Sequence, residues 1–158
     1  MREPKSVTDL LSSRLLRLSN TLGLYSSRRY RSQFGVTLPE WRVLSIIALQ
    51  RTTSARYISL TLATDKAWVG LTVQKLERRG FVRRVSDKRD ARRTLVSLTK
   101  QGQQVHDAIM LNALRRQKRL LSKLTDDNAQ SLIASLDQLQ AEADRMLEEL
   151  DASDTKPS

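Results

Sequence analysis

Cationic and amide side chains recur along residues 66–78 in the middle of the chain. Lys66, Gln74 and Lys75 carry ammonium and amide groups, which can hydrogen-bond the base edges and phosphate oxygens of a nucleic acid. Thr72 lies close enough in sequence to join them. The apolar residues of this stretch recur at i, i+4 and i+7, a spacing that predicts a helix with one buried face: Val69, Val73 and Leu76.

The boundaries of this helix are marked, and a different pattern follows it. Thr64 or Asp65 can cap its start, and Gly80 supplies the residue that ends it. Residues 81–86 and 93–98 are β-prone runs joined by a short charged segment, which predicts a two-stranded hairpin with an arginine-rich tip. A helix followed by such a hairpin is the layout of a winged helix-turn-helix.

The chain has few of the residue types that catalysis and metal binding need. It contains one histidine, His106, and no cysteine, so a Cys–His or Ser–His–Asp centre has little support and a multi-histidine metal site is excluded. Without cysteine, disulfides and thiol redox sensing are excluded as well. The five glycines are spread singly, which argues against a glycine-rich phosphate loop. We therefore expect a protein that is not an enzyme and needs no cofactor.

The charge balance favours a polyanionic partner. The 158 residues carry a formal net charge of +11, and the pI is about 10.7. Such an excess attracts phosphates through counterion release, although an acidic membrane surface, or solubility alone, also fits the charge. The sequence has no apolar run near the roughly 20 residues of a membrane span and no signal-peptide core, so we expect a cytoplasmic protein.

A long amphipathic helix is predicted near the start of the chain, from Ser6 to about Ser32. Its apolar residues step by four and three positions, the spacing of one helix face: Leu11, Leu15, Leu18, Leu22 and Tyr25. Two shorter helices are predicted at residues 40–50 and 55–63, the first of them with Pro39 near its first position. Together with the helix described above, they form the three-helix core of a helix-turn-helix.

Two more helices are predicted in the last third of the chain. Thr99 caps the first, which runs to about Ser122, and Thr125 caps the second. The second helix carries an apolar stripe with heptad-like spacing: Leu132, Leu136, Leu139, Ala143, Met146 and Leu150. Such a stripe packs either against the first helix of the same chain or against a second copy of the protein.

The order and spacing of these segments resemble those of the MarR family of bacterial transcription regulators. The resemblance covers roughly residues 8–150 and runs through LPEWRVLSII, LATDKAWVGLTVQKLERRGFVRR and DKRDARRTLVSLTKQG. Its most telling part is the wing, where D-x-x-D-x-R at 87–92 precedes a β-strand and L-T-x-x-G at 98–102 opens the next helix.

The resemblance implies a fold class and an assembly. The fold is mostly α with a small β-hairpin wing, in which a winged helix-turn-helix core at residues 38–99 lies between N- and C-terminal dimerisation helices at 6–34 and 100–151. In the family, the first, fifth and sixth helices of two chains interlock across a two-fold axis. This favours a homodimer, with the second copy as the partner of the apolar stripe.

The resemblance also implies roles for the wing on double-stranded DNA. In the family, the arginine that matches Arg92 enters the minor groove, and the aspartate that matches Asp90 orients it. A narrow, A·T-rich groove concentrates negative potential, which attracts a guanidinium. Family members often have arginine where Ala91 stands, and Arg89 at the hairpin tip can take its place. The alternative is an ordinary solvated ion pair at the surface.

The recognition helix departs from the family pattern. Family members often carry arginine where Leu71 stands, and Trp68, Gly70 and Leu71 make this region unusually apolar. Trp68 and Leu71 can contact thymine methyl groups, or Trp68 can pack on a neighbouring helix. The DNA-binding residues expected from the whole sequence are Ser54, Arg56, Lys66, Trp68, Leu71, Thr72, Gln74, Lys75, Arg89, Asp90 and Arg92.

A pocket for a small effector is a further feature that the resemblance implies. MarR-like regulators generally release DNA when a small molecule, often aromatic and anionic, binds between the dimerisation helices and the winged helix. By that resemblance Tyr25, Arg29, Trp41 and His106 line the pocket, where an arginine beside aromatic rings suits an aromatic carboxylate or a phenol. The alternative is structural, because Trp41 also fits a core position and Arg29 a surface cation.

One interpretation leads, and two others stay open. The leading one is a dimeric regulator, expected to be a repressor, that a small effector releases from a pseudo-palindromic operator. The alternative is an architectural or nucleoid-type winged-helix protein that binds DNA by charge and has no ligand, an idea that the apolar recognition helix supports. A basic patch at 115–119 also fits RNA or a membrane surface, but the patch is short and RNA-stacking aromatic residues are lacking.

Overall fold

The computed structural model describes residues 5–86 and 94–154 of the chain. The chain forms two compact units that divide after Asn112. In the described part, none of the helices combines the length and the hydropathy that a membrane span requires.

The first helix begins later than the sequence pattern predicts. Ser6 caps a short 3-10 helix, Val7–Asp9, through a capping box. Leu10 then has an extended backbone, so helix α1 spans Leu11–Phe34 and is not a continuous run from Ser6. Gly35 ends α1 in the left-handed conformation, with φ at 62°, where the missing Cβ removes the steric cost.

Helices α2, α3 and α4 form the predicted helix-turn-helix core. Ser54 caps α3 and Asp65 caps α4, each through a side-chain oxygen that accepts a main-chain N–H. α3 ends two residues before the predicted Ala63, because Ala63 has a positive φ of 47°, which an α-helix cannot include. The bounds are Leu38–Gln50 for α2, Ala55–Thr61 for α3 and Lys66–Arg78 for α4.

A small antiparallel sheet, in the order β1-β3-β2, completes the winged helix. The predicted hairpin is β2 paired with β3, here called the wing, in a register that places Arg84 opposite Val96. The third strand, β1, is not predicted from the sequence, because two residues are too few to show a strand periodicity. The bounds are Thr52–Thr53 for β1, Val82–Ser86 for β2 and Thr94–Leu98 for β3.

The core of the first unit contains the buried face of α4. The three predicted positions, Val69, Val73 and Leu76, are at most 3% exposed. Burying these side chains stabilises the unit and turns the opposite side of α4 to solvent. Other fully buried members of the core are Tyr30, Val36, Val43, Leu44, Ile47, Ile58 and Ile109.

Helices α5 and α6 span Lys100–Leu121 and Asp126–Asp154. Both begin where predicted, since the hydroxyl groups of Thr99 and Thr125 accept main-chain N–H bonds from their first turns, at 3.0 and 3.3 Å. The predicted apolar stripe of α6 is exposed in the single chain, including Leu132, Leu136, Leu139, Met146 and Leu150.

Candidate nucleic-acid interface

The outward face of α4 is the most direct candidate for a contact with nucleic acid. Asp65 fixes the start of the helix, because its Oδ1 accepts the main-chain N–H of Trp68 at 2.8 Å. Leu71, near the middle of the outward face, is 66% exposed. At about 100° per residue, the side chains centred on that face are Ala67, Leu71, Gln74 and Arg78, all of them exposed.

The predicted contact residues of α4 do not all lie on this face. Leu71 and Gln74 do, and Lys66 is exposed at the first position of the helix. Thr72 is buried instead, and its hydroxyl donates to the carbonyl oxygen of Trp68 at 2.9 Å. The structure therefore does not bring Thr72 to the surface that would meet a duplex.

Trp68 lies at the flank of the outward face. It is 37% exposed and lines a cavity of about 490 Å³, whose other walls come from α1 and from the start of α2. Arg28 and Arg31 of α1 and Lys75 of α4 line the same cavity. This placement favours packing beside α1 and α2 over a central contact with bases.

Lys75, which the sequence predicts to bind DNA, is paired within the protein. Its Nζ lies 2.8 Å from Oε1 of Glu40, in the first turn of α2; the Glu40 side chain is 4% exposed and that of Lys75 56%. The other carboxylate oxygen, Oε2, accepts the main-chain N–H of Thr37 at 2.9 Å and lies 3.2 Å from Nη1 of Arg79. Two cations and one amide thus compensate a buried carboxylate.

Arg79 extends this cluster beyond α2. Its Nη2 donates to the carbonyl oxygen of Gly35, the residue that ends α1, at 2.9 Å. Its guanidinium also lies over the ring of Phe81, 4.7 Å from the ring centroid. Arg79 therefore ties α4 to the junction of α1 and α2 and to the start of the wing.

The charge state of Glu40 follows from these neighbours. Burial would raise the pKa of Glu40, but the close Lys75 ammonium and the hydrogen bond from the Thr37 amide, with the charge of Arg79, hold that pKa below its ordinary value. Glu40 is therefore ionised at neutral pH, and the attraction to both cations is then complete.

Glu40 is the functional candidate that the sequence analysis misses. Thr37-x-x-Glu40 before an apolar run is a capping-box pattern, and both bonds are present, with the Glu40 N–H donating to Thr37 Oγ1 at 3.3 Å. That local signal could have identified Glu40 as a cap. Its pairing with α4 depends on tertiary packing and leaves no local pattern.

Two further predicted contacts lie at the start of α3. Oγ of Ser54 accepts the main-chain N–H of Tyr57 at 3.2 Å, so this hydroxyl serves the helix cap. Arg56, in the first turn, is exposed. An exposed guanidinium on the helix preceding a recognition helix suits a phosphate contact.

The wing adds positive charge beside α4. On β2, Nε of Arg83 donates to Oγ of Ser97 at 3.2 Å, and Nε of Arg84 donates to Oε2 of Glu77 at 2.9 Å. The three residues predicted at the wing tip lie outside the described residues, so their roles on DNA stay predictions: Arg89, Asp90 and Arg92.

Two of the four residues expected to bind an effector lie together. Trp41 and His106 line a cavity of about 450 Å³, with Ser45 and Met110 among its other walls. The indole N–H of Trp41 is buried, and no group in the described part of the chain accepts a hydrogen bond from it. Nδ1 of His106 lies 2.9 Å from Oδ1 of Asp107. The cavity therefore offers a mainly apolar space, and the buried indole N–H is not among the groups that a ligand there would reach.

The other two expected effector residues lie elsewhere. Tyr25 and Arg29 are both exposed on α1, on a surface that they share with Thr21, Leu24 and Ser32. Within one chain, the structure thus divides the predicted effector residues into two pairs.

Comparison with known proteins agrees with this architecture. The sequence model of the MarR family matches residues 34–93. No curated protein sequence matches the chain at a significant level. Among solved structures, the chain is similar to a MarR/EmrR family transcriptional regulator from Acinetobacter sp. ADP1, with 30% sequence identity, a TM-score of 0.76, and coverage of 85% of this chain and 94% of that one.

Two other solved structures share the fold at lower sequence identity. MepR of S. aureus, in a complex with DNA, is 19% identical, with a TM-score of 0.78 and coverage of 87% of this chain and 99% of its own. PcaV of Streptomyces coelicolor, in a complex with its natural ligand, is 23% identical, with a TM-score of 0.70 and coverage of 90% and 99%. At these identities the likeness shows the fold alone.

Proposed function

The chain belongs to the MarR family of transcription regulators, and from this premise we propose that it is a dimeric repressor that a small effector releases from a pseudo-palindromic DNA site. The observation that carries the proposal is the outward face of α4, where Lys66, Leu71 and Gln74 are exposed beside a basic wing strand. A helix with such a face fits the major groove, while the neighbouring arginines bind phosphates.

The chemistry of this face suggests what it reads. The Gln74 amide can pair with the N6 and N7 atoms of adenine, and the Leu71 side chain can contact a thymine methyl group. Lys66 and Arg78 can bind phosphates or guanine. We therefore expect half-sites that contain A·T pairs under Leu71 and Gln74, with Arg92 in the adjacent minor groove.

The apolar surfaces of α1 and α6 support a dimer. Both helices expose leucines in the single chain, such as Leu11 and Leu18 on α1 and Leu136 and Leu139 on α6. Exposed apolar stripes of this length mark a protein contact, and a second copy of the same chain is the partner that we propose. Two copies would hold two α4 helices about one DNA turn apart.

The charge of α6 also supports a role for this helix in protein contact and not in DNA binding. This helix carries nine Asp or Glu residues and a single Arg, although the whole chain has a net charge of +11. Phosphates repel an acidic helix, so α6 suits a protein contact and the basic remainder of the chain suits DNA.

For the effector we propose the cavity lined by Trp41 and His106. A small aromatic carboxylate or phenol fits its volume of about 450 Å³ and would pack its ring against the side chains of Trp41 and Met110. Release of DNA requires that this ligand bind more tightly to a dimer whose α4 helices have the wrong separation for successive major grooves.

Selecting duplexes from a random pool tests the proposal most directly. We expect a pseudo-palindrome with half-sites about 10 base pairs apart, bound roughly 10³-fold more tightly than random duplex. Sedimentation of the same sample should show a dimer at micromolar concentration. If no sequence is selected and binding depends on charge alone, the architectural alternative is favoured. The exposed, apolar Leu71 on the outward face of α4 fits that alternative.

A further inference from the structure

One buried acidic side chain in the first unit holds two cations of α4. Both oxygens of Glu40 are occupied, Oε1 by Lys75 at 2.8 Å, and Oε2 by Arg79 at 3.2 Å and the Thr37 amide at 2.9 Å. Lys75 and Arg79 are four positions apart, so they leave the same side of α4 one turn from each other. Glu40 thus fastens α4 to the first turn of α2 at two points.

The side of α4 that carries Lys75 and Arg79 is not the centre of the outward face of this helix. Viewed along the axis of α4, the side chains of Lys75 and Arg79 project about 40° and about 80° away from Leu71, on the side that faces α2. Gln74 and Arg78 lie on the other side of Leu71. The ion pairs therefore draw Lys75 to the flank and leave Leu71, Gln74 and Arg78 to face outward.

The buried carboxylate is the stronger partner for Lys75. The Glu40 side chain is 4% exposed, so loss of Lys75 would leave Oε1 of a buried carboxylate without a cation beside it, at a place where water solvates it poorly. A phosphate on the surface of a duplex stays hydrated and is screened by salt, so exchanging Glu40 for a phosphate is unfavourable. We therefore expect Lys75 to stay on Glu40 when DNA binds.

We infer that Glu40 is a positioning residue that determines DNA specificity, an inference that rests on the proposed DNA-binding function. It withholds the Lys75 ammonium from phosphates, and it fixes the rotation of α4 that presents Leu71 and Gln74 to base pairs. Without Glu40, Lys75 becomes a phosphate contact that strengthens binding to any duplex, while the selective contacts of α4 lose their fixed position.

The variant Glu40→Gln separates this role from helix capping. Glutamine serves a capping box as glutamate does, so the bond to the Thr37 amide is kept while the charge is lost. We expect binding to a random-sequence duplex to strengthen about threefold, with a salt slope steeper by about 0.9, as for one more phosphate contact. The duplex selected by the wild-type chain should not gain, so the specificity ratio falls by about threefold or more.

Glu77→Gln is the matched control. It removes the same charge from α4 itself, where Glu77 pairs with Arg84 at 2.9 Å and not with Lys75 or Arg79. A general gain of positive charge would act equally in both variants. Equal specificity ratios for Glu40→Gln and Glu77→Gln would therefore overturn the inference.

Lys75→Gln gives a second test that does not depend on the folding of a Glu40 variant. If Glu40 withholds Lys75, the salt slope for random duplex stays at the wild-type value; if Lys75 binds phosphate, the slope becomes shallower by about 0.9 and the inference is wrong. Failure of the proposed function looks different, because the wild-type chain would then bind selected and random duplexes equally. The slopes of Lys75→Gln and Glu40→Gln would still decide whether Glu40 withholds the cation.

Discussion

Gly102, in the first turn of α5, lies directly against the main-chain carbonyl group of Phe81 at the start of the wing. A Cβ at position 102 would stand 2.8 Å from the carbonyl carbon of Phe81 and closer still to its oxygen. Thr99 reinforces this junction, because its hydroxyl donates to the Gly80 carbonyl at 2.6 Å and accepts the Gly102 N–H at 3.0 Å. The wing and α5 are thus joined at a point where no side chain fits.

We expect Gly102→Ala to lower the free energy of unfolding by about 1–3 kcal/mol or more, because the added methyl group overlaps backbone atoms that cannot rotate away. Urea denaturation followed by circular dichroism measures the loss. Gly70→Ala is the control, since a Cβ there meets no atom within 4 Å in the described structure. At that helix-interior position, alanine should raise stability by about 0.5–1 kcal/mol. Wild-type stability of Gly102→Ala would contradict the close approach.

Acid should lower the free energy of unfolding, because Glu40 becomes protonated. Since the folded state holds the pKa of Glu40 below its ordinary 4.5, the unfolded chain takes up this proton first as the pH falls. The contribution of the ionised carboxylate is therefore fully present above pH 4.5 and is lost as the pH falls through the lowered folded-state value. Denaturation midpoints measured from about pH 7 to about pH 3 should show this decline.

The comparison that isolates Glu40 is the difference between the wild-type chain and Glu40→Gln across the same pH range. Asp107 also has a lowered pKa, because His106 and Gln103 bond its carboxylate, and it makes stability fall in acid with the same sign. That contribution is common to both proteins and cancels in the difference. A difference that does not change with pH would show that the Glu40 ion pairs do not stabilise the fold.

Local signals in the sequence predicted most of the helices. Thr37, Asp65, Thr99 and Thr125 each precede an apolar periodic run, and each caps the helix that follows. The strand β1 could not be predicted in this way, because its existence depends on pairing with β3, which is distant in sequence.

The candidate site was predicted only in part, because some of its contacts join residues that are distant in sequence. The 3.6-residue period places Leu71 and Gln74 opposite the buried face, and the structure agrees. Thr72 lies only about 100° from Leu71, so its burial depends on how α4 packs against its neighbours, which the period does not specify. The pairing of Lys75 with Glu40 is likewise a product of the packing of α4 against α2.

Leu136→Glu should disrupt the proposed dimer. Leu136 lies in the middle of the apolar stripe of α6, and a carboxylate buried there without a partner would oppose association. Sedimentation equilibrium should show a dissociation constant at least about tenfold higher than that of the wild-type chain. Gln138→Glu adds the same charge to α6 outside the stripe and should leave the dimer intact. A monomeric wild-type chain would instead refute the assembly itself.

Trp41→Phe should weaken the response to an effector. The substitution breaks no hydrogen bond of the described fold, so it should not destabilise the protein in that way. The indole N–H of Trp41 has no acceptor in the described part of the chain, so phenylalanine removes a buried unpaired donor and sacrifices only ring contacts, such as those with Tyr30 at a centroid distance of 5.4 Å. Salicylate and phenol, titrated against the DNA-bound protein, should then need about tenfold higher concentrations to release the duplex, because the smaller phenylalanine ring covers less apolar surface of the ligand. Trp68→Phe, in the separate cavity between α4, α1 and the start of α2, should release DNA at wild-type concentrations. Equal loss of response in both variants, or no response of the wild-type chain to either compound, would remove the Trp41 cavity as the effector site.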